Sequence, residues 1–132
     1  AAVTDLQQLW RRIAFSIAIH NTDDHLRNHG FLRQGSGWRL APAFDLNPNP
    51  ELAVHRVTSI GGATRPAEEV DALLAYAEIF GLSNSQAHTI LREVVSAAEE
   101  WESLARKNGV AQAEMTRFRP TLEHTIDALR RP

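Results

Sequence analysis

Leu6, Leu9, Ile13 and Ile17 recur at helical spacing in the first stretch of the chain, and Trp10, Ala14, Phe15 and Ala18 widen their stripe. A segment this apolar nearly all round predicts a buried helix. Thr4 and Gln7 have the spacing of a capping box, which predicts a start near Asp5, in the turn where the helix dipole favours an acid. The pattern ends at Ile19 and His20. It hands over to Asn-Thr-Asp-Asp-His-Leu-Arg-Asn, residues 21 to 28, polar throughout except for Leu26. Phe31 to Arg33 and Trp38 to Leu40 read as short strands joined by a Gln-Gly-Ser-Gly turn. Residues 41 to 50 hold three prolines and two asparagines and predict a stiff, irregular loop. Val54 to Ile60 is a weakly β-like run, broken by Gly61 and Gly62.

From Pro66 the pattern is helical. Pro66 suits a first helical turn with Thr64 as a nearby cap, and Val70, Leu73, Leu74, Ala77 and Phe80 form the buried side up to a stop at Gly81. Ser83 and Gln86 form a second capping box, opening a helix that carries Ile90, Leu91, Val94, Val95, Ala98, Trp101 and Leu104 to a stop at Asn108-Gly109. A last helix follows from Ala111, with Pro120 expected to kink or split it near Arg119 and with Leu122, Ile126 and Leu129 as its stripe. The fold class predicted is mainly α, one domain over residues 1–132 with a small β-hairpin.

Composition changes this picture little. Hydrophobic content of 43% and charged content of 23% are those of an ordinary globular domain. A net charge of -2 gives no electrostatic footprint for nucleic acid or an anionic membrane. The absence of cysteine excludes a disulfide frame and a thiolate metal site. No apolar run approaches the roughly 20 residues of a membrane span, and no signal peptide opens the chain, so a cytoplasmic protein is expected. The sequence starts Ala1-Ala2 without a methionine and runs straight into a helix, which predicts a piece of a longer protein.

The chemistry lies in an order of residues. Asp23 and Asn28 stand five positions apart after the apolar helix, a hairpin follows, and Asp45 comes next. An acid, an amide five residues on, a hairpin and a second acid is the order of a kinase's catalytic and metal-binding loops. There the first acid takes the proton of the substrate hydroxyl, while the amide and the second acid hold magnesium ions. Any one of these residues alone reads as a helix cap or a turn former. As a polar group between core elements they read as a hydrogen-bonded network or a site. His20, Asp24, His25 and His29 could instead supply imidazole and carboxylate ligands to zinc, although their spacing is not His-Glu-x-x-His. Magnesium suits the oxygens of Asn28 and Asp45 better. Neither a Gly-x-Ser-x-Gly elbow nor a glycine-rich phosphate loop is present, and the one lysine is Lys107.

Asn-Thr-Asp-Asp-His-Leu-Arg-Asn-His-Gly-Phe-Leu, followed by Gly-Trp-Arg-Leu-Ala-Pro-Ala-Phe-Asp-Leu-Asn-Pro, resembles the C-terminal domain of HipA-type serine/threonine kinases, the toxins of bacterial persistence modules. The resemblance is densest over residues 13 to 50 and extends loosely to about Gly109. It implies that Asp23 is the catalytic acid, that Asn28 and Asp45 are magnesium ligands, that Arg27 approaches a phosphate of the co-substrate ATP, and that His25 braces the loop. Asp24, without the spacing to Asn28, should point away or bond to backbone. The side-chain oxygens of Asp23, Asn28 and Asp45 should converge on one cleft. Leu46-Asn47 stands where kinases carry Phe-Gly. The partners implied are a protein substrate from the translation machinery and a DNA-binding antitoxin of the HipB type. A complete kinase of this type also has an N-terminal region with the phosphate-gripping loop and its lysine, absent from these residues. They should therefore be inactive alone, with a bare apolar face around Trp10, Phe15 or the helices after Pro66 that drives self-association. Two other readings stand beside this one: a non-catalytic partner-binding module built on a degenerate kinase lobe, and a small metal-dependent hydrolase.

Overall fold

The computed structural model describes residues 2–132. Helix α1, Ala2–Ala18, is the central element: it packs against α2 (Pro66–Ala75), α3 (Asn84–Ala98) and α5 (Gln112–Arg130). Helix α4 (Trp101–Lys107) lies against α5. Strands β1 (Phe31–Gln34) and β2 (Gly37–Leu40) form one antiparallel hairpin, with Phe31 opposite Leu40 and Gln34 opposite Gly37. The mainly helical class with a single small hairpin is the one the sequence predicts.

The apolar stripe of α1 is buried as its pattern requires. Trp10, Ala14, Ile17 and Ala18 join Val70, Leu73, Leu91, Val94, Leu122 and Ile126 in one core. Two buried polar contacts fix the helices around it. The Trp10 indole Nε1–H donates to the Leu73 carbonyl at 2.9 Å, and the Thr125 hydroxyl donates to the Ala18 carbonyl at 2.6 Å. Both acceptors lie at helix C-terminal ends, where carbonyls run out of intrahelical partners. The second contact holds the point at which α1 ends and the polar loop begins.

Several local expectations are corrected. Helix α1 already runs from Ala2, so Thr4 lies inside it, and Gln7 instead donates its amide to the Gly81 carbonyl at 3.0 Å. The run 54–60 forms no strand; only an isolated bridge pairs Ile60 with Ala63. With no neighbouring strand to complete its ladder, a weakly β-like sequence stays irregular. Gly61 there has φ +56°, and a Cβ would lie 2.8 Å from the Tyr76 ring, so this loop closes tightly on the end of α2. The N-cap of α2 is Arg65 rather than Thr64, and the helix passes into a 3-10 turn, Ala77–Phe80, before Gly81 stops it at φ +76°. The Ser83–Gln86 capping box forms in both directions. Beyond it the predicted long helix breaks at Glu99 and Glu100 into α3 and α4. Pro120 does not split α5, which runs unbroken from Gln112 to Arg130. Trp10 is 0% exposed and Phe15 is half-buried, so neither forms a bare face; exposed apolar side chains stand on the hairpin, at Phe31, Leu32 and Trp38, and also after Pro66, at Ile79 and Leu104.

Candidate active site

Helix α1 ends with a reversal. His20 adopts φ +54°, a left-handed C-terminal turn, and its buried imidazole Nε2–H donates to the Glu51 carbonyl at 3.0 Å. Asn21 and Thr22 are buried as well, so the chain leaves the core through three polar residues and emerges at Asp23. Burial pushes the His20 pKa down; the bond to Glu51 opposes this, and the charges of Arg56 and His124 add to it. The unfolded chain therefore takes up protons more readily than the folded one as pH falls below the ordinary 6.5. Stability should fall with acidification through that point and be insensitive to His20 above it. Asparagine tolerates the left-handed turn and does not titrate, so His20→Asn should flatten this part of the profile. Melting temperatures of both proteins between about pH 7.5 and 5.5 check it.

Asp23 is exposed, and its carboxylate accepts no hydrogen bond among the described residues. The loop is shaped by its backbone: the Asp23 carbonyl accepts from the His25 amide at 3.1 Å and from the Asn28 side-chain Nδ2 also at 3.1 Å. Residues Leu26–Asn28 make one 3-10 turn. Asn28 thus folds back onto Asp23, which explains why the two stand five residues apart. Its nitrogen is committed, and its Oδ1 is left as the uncommitted end. His25 is half-buried, with its ring Nδ1 enclosed and unpartnered among the described residues. Arg27 is exposed on the turn and forms no ion pair among the described residues.

Asp45 sits on the neighbouring loop, exposed, at φ +54°. Its Oδ1 accepts from Asn47 Nδ2 at 2.8 Å, which leaves Oδ2 free. The loop is tied to the Asp23 segment on both sides of Asp45. Before it, the Ala41 amide donates to the Gly30 carbonyl at 2.8 Å; after it, Asn49 donates its amide N–H to His20 O at 3.0 Å and its Nδ2 to Thr22 Oγ1 at 3.2 Å. Asp23 and Asn28 are joined directly, and Asp45 is carried on a segment anchored beside them. The uncommitted groups of the three are carboxylate and amide oxygens, a donor set that suits a hard cation such as magnesium.

Asp24 behaves differently from its neighbour. It is 5% exposed and turned inward, and its partners are side chains rather than backbone. Oδ1 accepts from His29 Nε2 at 2.7 Å, and Oδ2 accepts from Arg56 Nη1 at 3.2 Å. Arg56 also reaches Glu69 Oε1 through Nε at 3.3 Å, with both side chains buried. Burial pushes the Glu69 carboxyl up, against the pull of Arg56. Arg56 and Glu69 are the residues that sequence reading missed, and His29, expected as a possible metal ligand, pairs with Asp24 instead. A signal existed for Glu69: it falls in phase with Pro66, Val70 and Leu73 on the buried side of α2, where an acid needs a cation. Nothing in the sequence points to Arg56, which sits in the run read as a weak strand.

The zinc reading loses its ligand set here. His20 is spent on Glu51 and His29 on Asp24, and among the described residues no three His, Asp or Glu side chains are grouped to hold a metal ion.

Comparison with known proteins agrees with the motif. No curated protein and no solved structure matches the chain. The model of the HipA-like C-terminal domain matches residues 1–102, from α1 through the candidate site into the start of α4. Held to that match over more than half its length, this chain belongs to the HipA-like C-terminal domain family.

Proposed function

We propose that this domain is the catalytic lobe of an ATP- and magnesium-dependent serine/threonine kinase of the HipA toxin type. The observation that supports it most is the placement of Asp23, Asn28 and Asp45 on two loops hydrogen-bonded to each other on either side of Asp45. In this reading the exposed Asp23 carboxylate, with no competing donor among the described residues, accepts the proton of the substrate hydroxyl. Asn28 Oδ1 and the Asp45 carboxylate would hold magnesium, which when bound offsets the negative charge of the phosphates. Arg27, exposed and without an ion pair among the described residues, one residue before Asn28, offers a cation to ATP. The substrate would be a protein, with the translation machinery as the expected source, and the partner a DNA-binding antitoxin of the HipB type, all in the cytoplasm.

The reading requires a phosphate grip from outside these residues. The one lysine, Lys107, is exposed on α4. Phosphoryl transfer depends on positioning and charge neutralisation by several groups at once. Residues 1–132 alone are therefore expected to bind Mg-ATP no tighter than about millimolar, as for other low-charge oxygen sites, and to transfer no phosphate. The complete natural protein containing them should do both. Calorimetry and transfer of radiolabelled phosphate compare the two. No turnover by the complete protein would sink the proposal, and turnover by the 132 residues alone would show that no grip from outside them is needed.

A further inference from the structure

We infer that Arg56 is a positioning residue for the catalytic loop, gripping Asp24 beside Asp23 while the backbone of the next residue, Val57, holds Thr22 on the other side; the kinetic consequence rests on the kinase reading above. Arg56 Nη1 grips Asp24 at 3.2 Å, and the amide of the next residue, Val57, donates to the Thr22 carbonyl at 2.8 Å. Asp23 thus stands between two residues that are each tied to the same short segment. That segment is in turn fixed to a helix, because Arg56 Nε reaches Glu69 on α2 at 3.3 Å. Helix α2 is locked to α1 through Trp10 and Leu73. The exposed Asp23 side chain is therefore backed by a buried chain of charges running back to the core.

The chemistry of the guanidinium suits this task. Arg56 must serve two carboxylates in different directions at once, and both the Arg56 and Asp24 side chains are 4% exposed. A planar fork with fixed donors does this, whereas an ammonium is a point charge that meets one partner well. In the absence of Arg56, Asp24 would keep only His29. An unpaired buried carboxylate is costly enough to be drawn toward water, and it would take Asp23 with it. A misplacement of about 1 Å at a catalytic group can cost about 10²-fold in rate.

Arg56 also lines a cleft of about 470 Å³ together with Leu9, Ile13, Ser59 and Ile60. A small cation can therefore enter beside the position of its side chain. Arg56→Lys and Arg56→Ala in the complete protein provide the test, with amide hydrogen exchange and phosphoryl transfer as readouts. The lysine variant remains decisive if the alanine variant does not fold.

The expected result is local. Amides of residues 22–28 exchange at least about tenfold faster while α3 and α5 keep their protection. The kcat falls about 10²-fold with little change in KM for ATP. Millimolar ethylguanidinium restores part of the rate to Arg56→Ala but not to Arg56→Lys. Unchanged protection over residues 22–28, full activity of the lysine variant, or a loss of protection spread evenly over all helices would overturn the inference. Should the wild-type protein transfer no phosphate, the kinase reading falls, and the exchange data alone decide whether Arg56 positions the loop.

Discussion

Asp23→Ala and Asp45→Asn are each expected to lower phosphoryl transfer by the complete protein by at least about 10²-fold, the usual cost of losing a positioned base or a metal ligand. Neither should unfold the domain. Asp23 is exposed with a carboxylate unpartnered among the described residues, and Asp45 is exposed with one short-range bond to Asn47. Substitutions at such positions usually stay within about 0.5 kcal/mol of the parent. Asp24→Asn, one residue away, provides the contrast. Asp24 is buried between His29 and Arg56, and breaking a buried pair costs about 3–5 kcal/mol. The two adjacent acids should thus separate cleanly, with Asp23→Ala retaining its melting temperature and Asp24→Asn losing it. Initial rates with radiolabelled ATP, beside thermal unfolding of the same preparations, decide the matter. Near-parental transfer in either the Asp23 or the Asp45 variant removes the role assigned to that residue.

The same pair of acids shows how far the sequence could be read. The five-residue spacing from Asp23 to Asn28 is legible because it has a local cause, a single 3-10 turn that brings the amide back to the Asp23 carbonyl. Local devices with fixed spacing were generally readable: the Ser83–Gln86 box, Pro66 at the start of α2, the stop at Gly81 and the hairpin. What could not be read depends on partners distant in the chain. Arg56 stands 32 residues from Asp24, and no periodicity connects an irregular loop to a buried acid. The unbroken α5 is of the same kind. Pro120 removes one donor from the helix, yet tertiary contacts flank it: Thr121 donates to the Pro50 carbonyl and Arg119 pairs with Glu102. The break at Glu99 and Glu100 is the reverse case, since two good helix formers sit where the helix ends. The structure gives no local reason for that break.

Trp10→Ala is expected to be the most damaging single change to the fold. The ring is fully buried at the centre of α1, among helices α2, α3 and α5. Removing a buried aromatic side chain costs about 3–5 kcal/mol, because the site cannot fully collapse around the cavity. Trp10 carries a second burden. Its indole N–H serves the Leu73 carbonyl in the last turn of α2, where the helix gives way to the 3-10 turn. Alanine would leave that carbonyl without its donor, a loss of about 1–3 kcal/mol for a buried group that finds no other partner. Trp10→Phe separates the two effects, since it keeps most of the apolar volume and removes only the donor. The phenylalanine variant should therefore lose clearly less than the alanine variant. Against a total of about 5–15 kcal/mol for a typical domain, the alanine variant is expected to retain little folded population at physiological temperature. Urea unfolding of the three proteins measures this, and an alanine variant within about 1 kcal/mol of the parent would show that α1 is not held at this point. The consequence reaches the site, because Trp10 joins α1 to the helix that carries Glu69. Through Glu69, Arg56 and Asp24 that helix holds the loop on which Asp23 stands. Exchange at residues 22–28 in Trp10→Phe, folded but without its bond to α2, should therefore rise while α5 stays protected.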